Sequence, residues 1–205
     1  MKEMKRALAL MLAVALVWAL YACEPEKKEE GTKVTNQSSV SGNKNEPAWV
    51  TRGAGAFKDE TGLAFYGVGV VQGIANRGLE MQTADSRARA DLARALDTYV
   101  ANFMKDFMSS AVASDMKSSD EQQFVSSITK SITETTLVGS QIVNHFRGPD
   151  GTLYALGRLS FDDVGKGMKE QVKKRSAELK LTADEAVKEL DQQLEKRKAS
   201  IPSSM

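Results

Sequence analysis

The stretch Leu137-Val138-Gly139-Ser140-Gln141-Ile142-Val143-Asn144-His145-Phe146, Arg147-Gly148-Pro149-Asp150-Gly151, Thr152-Leu153-Tyr154-Ala155-Leu156-Gly157-Arg158-Leu159-Ser160-Phe161 decides the fold class. Its two outer runs are rich in the β-branched and aromatic residues that suit a pleated, half-buried surface. Between them proline presets its own φ, and glycine accepts the positive φ that closes many hairpins, so Pro149-Asp150-Gly151 reads as the turn of a β-hairpin. Leu153, Ala155, Gly157, Leu159 and Phe161 alternate onto one face, and that face needs a layer to cover it.

The cover lies upstream. From Leu79 to about Val112 the apolar period becomes helical: Met81, Ala84, Ala88, Leu92, Ala95, Tyr99 and Phe103 recur at three and four residues, and Leu96, Met104 and Phe107 widen the stripe. Asp85, Arg87, Arg89, Asp91, Arg94 and Asp97 line the opposite flank. Before this helix, a Gly-rich turn (Gly53, Gly55) and a polar loop through Gly62 lead into Leu63-Ala64-Phe65-Tyr66-Gly67-Val68-Gly69-Val70-Val71, which reads as a buried strand. Gly67 and Gly69 begin a G-x-G, but Gln72 holds the third position of a dinucleotide fingerprint and Gly73 comes one residue late. The glycines read instead as places where the strand bends or a helix approaches closely.

Ser118-Ser119-Asp120-Glu121 offers a helix start, and Phe124, Ile128 and Ile132 predict a second, thinner helix rich in Ser and Thr outside. Past the hairpin, Asp162 is placed to cap a helix running to about Leu181. Thr182-Ala183-Asp184-Glu185 is a capping box for a last helix ending before Pro202. Val187, Leu190 and Leu194 form a narrow stripe on that charged helix, suited to light packing on the domain or to a partner helix. The order of strand, two helices, hairpin and helices predicts an α+β fold, a small antiparallel sheet against a long helix with extra C-terminal helices.

The N-terminus addresses location. Lys2, Lys5 and Arg6 precede an apolar run from Ala7 to Ala19, and Leu20-Tyr21-Ala22-Cys23 follows with the only cysteine; these are the parts of a secretory signal peptide. As a helix, residues 7–22 would reach roughly 24 Å, short of a hydrocarbon core of about 30 Å, which favours a cleaved signal over a spanning anchor. Leu20-Tyr21-Ala22-Cys23 resembles the lipobox of bacterial lipoproteins, with Tyr21 bulkier than usual. The resemblance implies cleavage between Ala22 and Cys23, lipidation of Cys23 and membrane attachment through that lipid. Glu24, where an aspartate would favour inner-membrane retention, points by the same analogy to the outer membrane, on its periplasmic side. A lipidated Cys23 leaves no thiol for a disulfide, metal site or nucleophile. Residues 24–46 carry only Val34 and Val40 as larger apolar groups and read as a disordered tether with an r.m.s. span of about 27 Å. The expected organisation is therefore a signal peptide (1–22), a lipidated terminus and tether (23–46), an α+β domain (47–162) and charged C-terminal helices with a tail (163–205).

Several functions find no support. Removing the signal takes three basic residues and one acidic residue from a chain of net charge +1, so the mature protein is nearly neutral and offers no electrostatic case for nucleic acid. His145 is the only histidine and has no nucleophile-elbow motif nearby. There is no HExxH, cysteine cluster or EF-hand loop, and loop and cap roles account for Asp59-Glu60 and Asp162-Asp163. The sequence assigns no catalytic residue, cofactor or metal site, and reads as non-enzymatic.

Pro47-Ala48-Trp49-Val50, Phe65-Tyr66-Gly67-Val68-Gly69, Ala84-Asp85-Ser86-Arg87-Ala88-Arg89-Ala90-Asp91-Leu92-Ala93 and Pro149-Asp150-Gly151-Thr152-Leu153-Tyr154-Ala155-Leu156 follow the lipobox in that order. The pattern resembles the Lpp-twenty (LPP20) family of bacterial envelope lipoproteins, the group that includes the flagellar assembly lipoprotein P. It covers roughly residues 47–162 and implies a dodecin-like module in which an antiparallel sheet curls around a long helix. It further implies a lipid-anchored structural or interaction role in an outer-membrane or flagellar-associated assembly, with a second copy or an unidentified envelope protein as partner. Trp49 and Tyr66 are the candidate interaction surface. Two alternatives stand beside it: a small apolar ligand held between sheet and helix in a cavity lined by Phe65, Phe103 and Tyr154, and a regulator touching a cell-wall synthase through the C-terminal helices.

Overall fold

A computed structural model describes residues 45–111 and 117–201. The signal peptide, Ala22, Cys23 and residues 24–44 of the tether lie outside the described residues. The described elements are α1 (Ala48–Arg52), β1 (Gly55–Asp59), β2 (Gly62–Val71), α2 (Arg77–Ala111), α3 (Ser118–Leu137), β3 (Gln141–Arg147), β4 (Leu153–Ser160), α4 (Phe161–Lys174), a 3-10 turn (Ser176–Leu179) and α5 (Ala183–Ser200). The chain is thus an α+β protein: a four-stranded sheet in the order β1-β2-β4-β3, antiparallel throughout, with a long helix against it and further C-terminal helices.

The hairpin forms as its turn chemistry dictates. Gly148 N–H donates to the Thr152 carbonyl at 2.8 Å, and Gly151 takes a φ of 83°. Asp150 accepts from the Thr152 N–H at 3.0 Å and hydroxyl at 2.7 Å, and those bonds hold its carboxyl below the usual range. The first strand begins later than its apolar run suggests. Leu137 closes α3, and Gly139 and Ser140 turn the chain by donating to the Thr136 and Leu137 carbonyls at 3.0 Å. Leu137 serves as the last apolar residue of a helix stripe, which its local composition does not distinguish from a strand start.

The loop expected over 53–62 instead contains β1, paired with β2 from Gly55↔Tyr66 to Asp59↔Gly62. Its glycines and charges hide a short edge strand, because pairing to β2 outweighs weak local propensity. The expected helix cap also shifts. The Ser160 hydroxyl accepts from the Asp162 N–H at 3.2 Å, so Ser160 is the N-cap and Phe161 leaves the strand to open α4. That helix stops at Lys174 rather than near Leu181, and the chain turns through Lys180 at φ 56°. The capping box at Thr182 forms as read, with both reciprocal bonds to Glu185.

Helix α2 runs 35 residues, about 52 Å, and serves two cores. Its first half lies on the sheet, where Ala84 and Ala88 join Val71, Leu153 and Ala155. Its second half supplies Val100, Phe103, Met104 and Phe107 to a larger core shared with Phe124, Ile128 and Ile132 of α3, Met168 of α4 and Leu190 of α5. The first contact depends on glycine. A Cβ at Gly67 would stand 2.2 Å from the Leu92 nitrogen, and one at Gly69 would stand 1.9 Å from the Ala84 oxygen. Close helix approach is therefore the reason for the two strand glycines. Side chains of α2 also hold the strand: Asp91 accepts from the Val68 N–H at 3.0 Å, and Arg87 donates to the Val70 carbonyl at 2.5 Å.

Helix α5 packs on α4 and α2, burying Ala186, Leu190 and Leu194. Lys169–Asp191 at 2.6 Å, Lys198–Asp162 at 3.0 Å and Arg197–Asp106 tie its charged flank down.

Candidate interaction surface

Alternation along the strands separates two faces. Phe65, Gly67, Gly69 and Val71 of β2 and Leu153, Ala155, Gly157 and Leu159 of β4 share the face that α2 covers. The opposite face carries Phe57 of β1, Tyr66, Val68 and Val70 of β2, Tyr154 and Leu156 of β4, and Phe146 of β3. The long helix α2 lies on the first face; on the second, the Arg52 guanidinium stands 5.1 Å from the centre of the Phe57 ring, and Leu156 is 7% exposed among its neighbours. Val70 is 41% exposed and Val143, at the β3 irregularity, 45%. Two tilted aromatic pairs flank the centre: Phe57–Tyr66 at 6.2 Å and Phe146–Tyr154 at 6.1 Å.

One polar cluster crosses this face. Arg158 Nε donates to Asp59 Oδ2 at 2.8 Å, the Tyr66 hydroxyl donates to the same carboxylate, and the Thr61 N–H donates to Asp59 Oδ1 at 2.7 Å. The Arg158 hydrogen bond, helped by Tyr66 and Thr61, holds Asp59 far below the usual carboxylate range. Burial raises the Tyr66 phenol, and its bond to Asp59 adds to that. The bond to Asp59 likewise raises Arg158. The cluster links β1, β2 and β4, and it cancels the charge of the only two ionised strand residues on this face.

Of the two expected surface aromatics, Tyr66 stands near the middle of this face, half-buried and hydrogen-bonded to Asp59. Trp49 sits on α1, half-buried, with its indole N–H enclosed and without an acceptor. The cavity expected between Phe65, Phe103 and Tyr154 does not assemble. Phe65 and Phe103 are each 1% exposed in the core, joined through Tyr99 at 4.9 and 6.2 Å, whereas Tyr154 stands on the other face of the sheet. Strand alternation causes the mismatch, since Tyr154 is one residue from the inward Leu153 and Ala155. Burial pushes the Tyr99 phenol up to about 12.

The residues that the sequence reading missed are Phe57, Val68, Val70, Phe146 and Leu156. Their signal was present: both strand runs are apolar on both alternations, although a single helix can cover only one face.

Elsewhere, His145 Nε2 meets Asp85 Oδ1 at 2.6 Å, and Arg147 forms a bidentate pair with Glu80 at 2.6 and 3.0 Å; both fasten β3 to α2. The Arg147 bonds hold Glu80 below its usual range. Asp162 and Asp163 pair with Lys198 and Lys166. A groove of about 1030 Å³ runs between α2 and α3, floored by Ala101, Val125, Thr129 and Thr133. Among the described residues no three metal-ligating side chains gather, and no helix is long and apolar enough to cross a membrane. Compared with known proteins, the chain matches no family model, and no curated protein matches it significantly.

Proposed function

We propose that this protein is a non-enzymatic, lipid-anchored interaction module of the bacterial envelope, akin to the Lpp-twenty lipoproteins, and that its working surface is the open face of the sheet. One observation carries the reading: the helices cover one face of the sheet, while the other presents aromatic and aliphatic side chains with their single ion pair internally neutralised. Residues 20–23 supply the anchor, and the tether gives the surface a reach of a few nanometres from the bilayer. The C-terminal helices contribute Leu190 and Leu194 to the core, which supports a scaffolding role for them.

The test is photo-cross-linking in intact cells, with a photoreactive amino acid at Val70 on the open face or at the exposed Lys188 on α5, each with and without Cys23→Ser. The expected result is a defined adduct from Val70 alone, lost when Cys23 is replaced. Equal adducts from Lys188, or an unchanged adduct without the cysteine, would refute the assignment.

A further inference from the structure

We infer that the occupant of the open sheet face is a second copy of this chain, packed sheet to sheet about a two-fold axis near the cross-strand pair Val68↔Leu156; the inference rests on that face being the working surface.

Size is the first argument. Four strands at about 4.8 Å spacing and about eight residues of length give a footprint of roughly 500 Å². Two copies then bury about 1,000 Å² in projection, the area at which a specific interface begins. Side-chain corrugation adds to this. An interface at this lower bound is expected to be weak, and a shared membrane anchor would strengthen it by raising local concentration.

Charge is the second. Asp59 and Arg158 neutralise each other within one copy, and Arg52 lies over the Phe57 ring at the β1 edge, so the central strands of two copies meet without like-charge repulsion. An anionic lipid surface would need a cluster of unpaired cations here, whereas Arg158 is paired with Asp59 and Arg52 is engaged over the Phe57 ring. Residues Val68 and Leu156 belong to the two central strands, so a two-fold axis there places Tyr66 and Tyr154 of both copies around it.

The edges supply the third. Strand addition would extend the sheet, but β3 carries an irregularity between Ile142 and Asn144, and β1 is five residues long. Beyond β1, Asp91 and Arg87 already engage the Val68 N–H and the Val70 carbonyl. Association is thereby directed from the edges to the face, where two sheets stack about 10 Å apart.

The experiment measures the mass of the mature lipidated protein in detergent micelles by light scattering from about 1 to 100 μM, beside the Val70 cross-link in cells. Val70→Glu and Phe146→Glu are the variants, since both side chains lie on the open face and neither is buried, so a charge there keeps access to solvent in the monomer. Val138→Glu, 87% exposed on the α3–β3 turn, is the control. The expected result is a dimer weakened at least tenfold by either variant and not by the control, with Val70 cross-linking to its own kind. A dimer indifferent to both variants overturns the inference. A monomer whose Val70 cross-links only to another envelope protein also overturns it, while leaving the face as the working surface. A monomer with no Val70 adduct overturns both.

Discussion

Replacing Gly69 by alanine adds one methyl group where the structure leaves no room for it. The new Cβ would stand 1.9 Å from the Ala84 oxygen and 2.5 Å from the Ala88 nitrogen, both backbone atoms of α2. Ordinary contact requires about 3.4 Å, so helix and strand must part by roughly 1.5 Å. A gap of 0.5–1 Å already forfeits about a quarter to a half of each dispersion contact across it. The loss falls on Val71, Ala84, Ala88, Leu153 and Ala155 together. Overpacking commonly costs about 1–3 kcal/mol; here rigid backbone lies on both sides, and about 3–4 kcal/mol is expected. At roughly 2–4 °C per kcal/mol, Tm falls by about 10 °C. Gly157→Ala is the internal comparison, because its Cβ would meet Ala88 at an ordinary 3.5–3.6 Å. That variant should change stability by less than about 1 kcal/mol. Urea denaturation of the three proteins decides the matter. A Gly69→Ala midpoint equal to that of Gly157→Ala would refute the close approach of α2 to β2.

Two further outcomes are expected. Asp59 has a lowered folded pKa, so its contribution is present above the unfolded value of about 3.9 and is lost as pH falls below it; Asp59→Asn should remove roughly 1 kcal/mol at pH 7, after allowance for solvent screening, and less at pH 2.5. Urea midpoints for the two proteins that fall in parallel with pH would contradict this. Leu190→Ala should cost about 2–5 kcal/mol, since Leu190 of α5 is fully buried in the large core; a thermal melt unchanged from the parent would remove α5 from the core.

The fold was legible wherever a local signal agreed with its tertiary surroundings. Pro149-Asp150-Gly151 and the Thr182 capping box carry their geometry in the residues themselves, and the period of α2 spans enough turns to exclude a strand. β1 was illegible because its pairing partner, not its own composition, makes it a strand. Leu137 and Phe161 read as strand residues because an apolar residue at a junction fits either neighbour. At the candidate site, Tyr66 is a residue the sequence singles out, whereas Val70, Phe146 and Tyr154 need the register to show that they share its face. Such a surface is assembled from four strands separated in sequence, and no window of the chain contains it.

Helix α2, like β2 and β4, contributes to both the small glycine-lined contact and the large aromatic core, and it is the longest of the three. The module consequently has no internal seam at which it could come apart in stages: strain introduced at the sheet is delivered along a single hydrogen-bonded rod to the packing of Phe103 and Phe107. A force borne by the open face would be shared with the helices behind it.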